Sequence, residues 1–180
     1  MAEKKRQITK GRGFMMYIIS KANKLIKKYK TSNPFEICEK IGIEVVLADI
    51  GKLKGMYTCI KRNRFIVINE NLNTYMKIMV CAHELAHDQL HRKLSTSSWL
   101  KDINIYDAST KHEYEANLFA SELLVPEDKL ISLIDEGVTI DEVSKRLCID
   151  KNLIAMKVKI LIDDGYNFIH QDFASDFLKN

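Results

Sequence analysis

Cysteine is scarce in this 180-residue chain: Cys38, Cys59, Cys81 and Cys148 stand alone, with no C-x-x-C pair. That argues against a disulfide framework and points to a reducing cytoplasm. Proline is scarcer still, with two residues, and there is one tryptophan. No apolar run approaches the roughly 20 residues of a membrane span. Nothing resembles a secretory signal with its cleavage site. What remains is 46% hydrophobic and 29% charged, the composition of a globular chain long enough for one domain with a small appendage.

The net charge of +4 hides an asymmetry, because residues 1–30 carry +9 and the rest −5. A basic arm invites a nucleic-acid reading, but a solvated helix face behind a loose leader explains it more simply. Direct nucleic-acid binding is therefore not favoured.

The informative stretch is Val80-Cys81-Ala82-His83-Glu84-Leu85-Ala86-His87-Asp88. Two histidines four apart share one helix face, so His83 and His87 can grip one metal ion together. Glu84 adjoins the first of them, where it can act as a general base on water rather than as a ligand. The flanks support a helix over residues 73–93. Asn73 and Thr74 can cap it, and no proline or glycine interrupts residues 72–100. Cys81 falls on a different face and is read as packing. His91 extends the series but cannot join the same tetrahedral site, since each turn moves 5.4 Å along the axis. It is expected either to be structural or to support the site from outside the ligand set.

A third ligand must come from elsewhere, and Lys111-His112-Glu113-Tyr114-Glu115-Ala116-Asn117 opens a second helix that ends at Pro126. Glu113 shares a face with Asn117, Ala116 and Ala120, and those small residues allow close approach of the two helices. Glu115 lies about 200° away around the helix, on a side that is partly apolar too. Periodicity alone does not choose between the two carboxylates.

His83–His87, followed about thirty residues later by Glu-x-Glu-Ala-Asn-x-Phe-Ala-x-Glu-Leu-Leu-x-Pro, resembles the ImmA/IrrE family of metallo-endopeptidases. Gly55-Met56-Tyr57, Phe65 to Asn69 and Asn33-Pro34-Phe35-Glu36-Ile37 fit as well. The resemblance implies a gluzincin-like site in which Glu113 completes a zinc triad with His83 and His87, and Asn117 supports a zinc-bound histidine. It also implies a place in mobile elements or stress responses, with a helix-turn-helix repressor as the substrate. Loss of Glu113 is then expected to abolish zinc retention, and loss of Glu115 to leave it largely intact.

The expected fold is α+β. Residues 1–13 form a flexible basic leader. Residues 14–126 form a zincin-like domain, with a short, mostly antiparallel sheet packed on the His-Glu-x-x-His helix. Residues 127–180 form a helical C-terminal region. Phe14 to Lys30 is amphipathic, with Phe14, Ile18, Ile19 and Ala22 facing one way. Gly55 to Ile60 and Phe65 to Asn69 make a hairpin about the polar turn Lys61 to Arg64. Residues 92–111 form a long polar connection containing Trp99 and a candidate strand at Ile103 to Tyr106. Thr139 to Leu161 resembles a helix-turn-helix, with Lys145, Arg146, Lys151, Lys157 and Lys159 as its basic residues.

The expected activity is zinc-dependent endoproteolysis, with Glu84 as the general base. An oxyanion donor is also required, for which Tyr57, Tyr106 and His112 are candidates. The alternative is a non-proteolytic DNA- or repressor-binding regulator with a metal site. Glu84 distinguishes them, since a purely structural metal site has no need of a carboxylate at that position.

Overall fold

The computed structural model describes residues 2–92 and 110–168, with side chains from Gly13 onward. Trp99, His170 and the candidate strand at Ile103 to Tyr106 lie outside the described residues. Within them the chain is α+β, as expected. No helix is long and apolar enough to cross a membrane among the described residues.

Helix α1 (Ala2–Tyr29) begins well before Phe14. Gly11 and Gly13 each cost a helix about 1 kcal/mol relative to alanine, but nothing in the first 29 residues blocks it as a proline would. Ile18, Ile19 and Ala22 are buried as their spacing predicts. Phe14 is not: it is 41% exposed, with Lys111 Nζ 4.7 Å from its ring centroid. Helix α2 (Pro34–Lys40) has proline at its first position, and Asn33 Oδ1 accepts from Phe35 N at 3.0 Å.

Three strands follow: β1 (Ile43–Ala48), β2 (Gly55–Ile60) and β3 (Asn63–Asn69). Their order is β1-β3-β2, with β3 antiparallel to β2 and parallel to β1. The sheet is therefore mixed rather than mostly antiparallel. The turn between β2 and β3 is also tighter than expected. Only Lys61 and Arg62 intervene, both left-handed at φ +49 and +70. Two such residues give the primed turn whose twist matches that of paired strands, a geometry normally signalled by Asn-Gly and hidden here behind two cations.

Helix α3 (Thr74–His91) packs on β2 and β3, and α4 (Lys111–Leu124) packs on α3. Tyr57, Ile66, Ile68, Leu85 and Phe119 lie fully buried between these layers. Each such burial is worth about 1.5–3 kcal/mol.

Past Pro126 come α5 (Glu127–Asp135), α6 (Ile140–Leu147) and α7 (Lys151–Asp163). Thr139 and Glu142 form the expected capping box, and Asp150 caps α7. The turn between α6 and α7 carries Cys148 at φ +56. Helix α7 is docked rather than displayed. Leu153 and Ile160 join the core beneath α4, and Ser121 Oγ donates to Leu153 O at 2.7 Å. Lys157, counted above as a basic residue of a helix-turn-helix, is buried: its Nζ lies 2.7 Å from Glu122 Oε2 and 3.0 Å from Glu127 Oε2. Burial lowers its affinity for a proton, and the two carboxylates more than restore it.

Candidate metal centre

Two capped helices bring the site together. Asn73 Oδ1 accepts from Met76 N at 2.9 Å and starts α3, and Thr110 Oγ1 accepts from Glu113 N at 3.3 Å and starts α4. The second cap grips the backbone of a predicted ligand. The helices run antiparallel: Asn117 meets His83, and Glu115 meets His91, two turns further along α3. Ala82, Ala86, Ala116 and Ala120 are all buried, and they keep side-chain bulk low near the contact.

His83, His87 and Glu113 converge, each buried, with one ligand atom apiece within 4.8 Å of the others. His83 Nε2 lies 3.1 Å from His87 Nε2 and 3.0 Å from Glu113 Oε2, and His87 Nε2 lies 3.6 Å from Glu113 Oε1. Donors around a tetrahedral centre with 2.0–2.1 Å bonds stand about 3.3 Å apart, so the spacing suits a zinc-sized cation. The outward nitrogens agree. Asn117 Oδ1 stands 2.9 Å from His83 Nδ1, and His91 Nδ1 stands 3.1 Å from His87 Nδ1. Asn117 Oδ1 is an acceptor, so it keeps the proton on His83 Nδ1 and turns that ring's Nε2 lone pair toward the cluster; His87 is placed the same way when His91 Nδ1 accepts. Two lone pairs in such contact repel unless a cation lies between them, so the donor set fits a metal.

Glu115 stands outside this group of three. It is not idle either: buried at 4% exposure, it holds His91 Nε2 at 2.8 Å. Burial pulls the His91 pKa below its ordinary value, against the opposing pull of Glu115. His112 packs edge-on against His91, with centroids 4.7 Å apart. Cys81 is buried and packs 4.0 Å from Cys38 Sγ. Burial raises its pKa, which suits packing rather than ligation.

Sequence reasoning missed Asp88. Its carboxylate accepts from Tyr57 Oη (2.8 Å), Arg64 Nη1 (3.1 Å), Arg92 Nη2 (2.9 Å) and Gln89 Nε2 (2.6 Å). Arg64 Nη2 also donates to Ile41 O at the end of α2. Asp88 thereby ties α3 to β2, β3 and α2 immediately after His87. A charged residue directly after a candidate ligand, within the apolar stretch of the helix, was the available signal. Tyr57 is consequently removed from the oxyanion candidates: it is buried, its hydroxyl donates to Asp88, and burial followed by that bond pushes its pKa far up. Tyr106 lies outside the described residues.

Gly55 explains how β2 reaches the helix. A Cβ there would sit 2.4 Å from Val80 Cγ1 and 3.1 Å from Glu84 Oε1, so only glycine lets the strand lie against the carboxylate. Gly55→Ala is expected to cost about 1–3 kcal/mol through overpacking. A urea midpoint equal to that of the wild type would show that β2 moves aside at no cost.

A family model described as the IrrE N-terminal-like domain, a peptidase family, matches residues 38–159. The chain belongs to this family. Membership covers the span from α2 into α7 and includes all three converging side chains. The chain is also similar to "uncharacterized immunity region protein 2" of Bacillus phage phi105, at 40% identity over 136 residues, 75% of this chain and 85% of that one. To the metallopeptidase ImmA of Bacillus subtilis (strain 168) it is 35% identical over 118 residues, 62% of this chain and 64% of that protein. As an IrrE-like peptidase, the chain is a metallopeptidase, and its substrates are proteins.

Proposed function

We propose that this metallopeptidase is a zinc-dependent endopeptidase of the cytoplasm, and that its substrate is a helix-turn-helix repressor of a prophage or other mobile element. The observation that carries the proposal is the convergence of His83, His87 and Glu113 with a carboxylate, Glu84, beside the first ligand. His83, His87 and Glu113 are the proposed metal ligands, Glu84 the catalytic base, and Asn117 and His91 the groups that orient the two imidazoles. The phage immunity region from which one relative takes its name supports the repressor as substrate. Four unbonded thiols support a reducing compartment.

Zinc bound there would supply a Lewis acid for the scissile carbonyl and bring the pKa of water toward about 7. Glu84 accepts the proton as water attacks the carbonyl carbon, then returns it to the leaving amine as the C–N bond breaks. Buried against Gly55, Glu84 performs this transfer at the start of β2. Among the described residues β2 has no strand on its outer side, so an extended substrate can add there by main-chain hydrogen bonds.

The purified protein is expected to cut a helix-turn-helix regulator encoded near it, and a chelator should stop the cutting. A specific mobility shift on DNA without cleavage would favour the rival, a non-proteolytic regulator.

A further inference from the structure

Glu115 is a carboxylate buried between two helices, and its burial needs a reason. Taking an ionised carboxylate out of water costs several kcal/mol unless strong hydrogen bonds replace the water. Lys111, 3.6 Å away, is 74% exposed and contributes little as a surface pair. The short contact is to His91 Nε2, at 2.8 Å.

That contact has a direction. An ionised carboxylate only accepts, so His91 donates from Nε2. In the neutral ring Nδ1 is then an acceptor. Facing it at 3.1 Å is His87 Nδ1, which must be the donor, and His87 is left with its Nε2 lone pair directed at His83 and Glu113. One carboxylate thus sets the tautomers of two imidazoles in series. His83 differs, since its Nδ1 partner is the neutral amide of Asn117.

We propose that Glu115 and His91 are positioning residues, a carboxylate–imidazole chain that holds His87 in the tautomer and orientation a metal requires. The proposal rests on the reading of His83, His87 and Glu113 as a metal site. It makes His87 the more strongly polarised of the two histidine ligands, because a charge stands behind it.

The test measures Zn2+ affinity by competition with a chromogenic chelator, independently of proteolysis. The double variant His91→Leu, Glu115→Leu removes both partners and leaves no orphaned charge in the interior. It is expected to fold with the wild-type circular dichroism and to bind Zn2+ about 10–100-fold more weakly. His91→Gln keeps a carbonyl oxygen able to accept from His87 Nδ1, and should return most of that affinity. Wild-type affinity in the double variant overturns the proposal, as does a His91→Gln protein no better than the double variant. Nitrogen-15 correlation spectra of the wild-type protein provide a check that needs no variant. They should show His87 protonated at Nδ1 and His91 at Nε2, and the opposite tautomer at His91 overturns the chain. Wild-type protein that takes up no Zn2+ removes the metal-site reading itself, and this proposal with it.

Discussion

Glu84→Gln is expected to abolish peptide hydrolysis while the protein keeps its metal. The substitution preserves size and shape at a fully buried position, where any change of volume would be felt by Val80 and Gly55. It removes only the capacity to take a proton from water. General base catalysis contributes typically about 10²–10⁴-fold, so the rate should fall by at least that range's lower end. Metal content by elemental analysis should match the wild type, because Glu84 is absent from the cluster of His83, His87 and Glu113. A variant that still cleaves near the wild-type rate would remove Glu84 from the mechanism. A variant that loses both metal and activity would make it a ligand instead.

Glu113→Ala should have the largest effect on the metal itself. It deletes the anionic donor 3.0 Å from His83 Nε2, leaving two imidazoles. The helix should survive, since alanine is the best helix former and Thr110 bonds the backbone N–H of residue 113, which remains. Metal affinity is expected to fall by roughly a thousandfold or more, beyond the 10–100-fold typical of an outer partner. Glu115→Ala should show only that smaller loss, through His91. Equal losses in the two variants would mean that the helix, and not the ligand, had been disturbed.

The contrast between those two carboxylates marks where sequence reasoning stops. Helical spacing placed His83 and His87 on one face, and the structure has them there, because four residues of α-helix is a local geometry independent of tertiary packing. The helix boundaries at Asn73 and Thr139 were legible for a related reason: a cap is a short-range hydrogen bond. Spacing put Glu115 about 200° around the helix from Glu113 and left the choice between them open. The Glu115 side chain reaches a histidine one turn beyond His87, a contact set by the antiparallel pairing of two helices that spacing within either one cannot reveal. Asp88 escaped for the same cause, since its partners Tyr57 and Arg64 come from strands whose order was unknown. Parallel pairing of β1 with β3 leaves no local mark either. The buried state of Lys157 inverted a reading based on charge, as a cation beside Glu122 and Glu127 counts for the core and not for a binding surface.

Helix α4 carries ten buried residues out of fourteen. One end supplies Glu113 and Asn117 to α3. Nine residues on, about 13–14 Å along the axis, Glu122 accepts from Asn23 of α1 and Lys157 of α7, each at 2.7 Å. A single rigid rod is thus shared by the chemistry and by both flanking segments. Relatives should drift freely at exposed Lys159 and Ile162, whereas Leu153 and Lys157 can change only together with α4. Helix α7 would evolve at the pace of the candidate metal centre on one face and at the pace of a surface on the other.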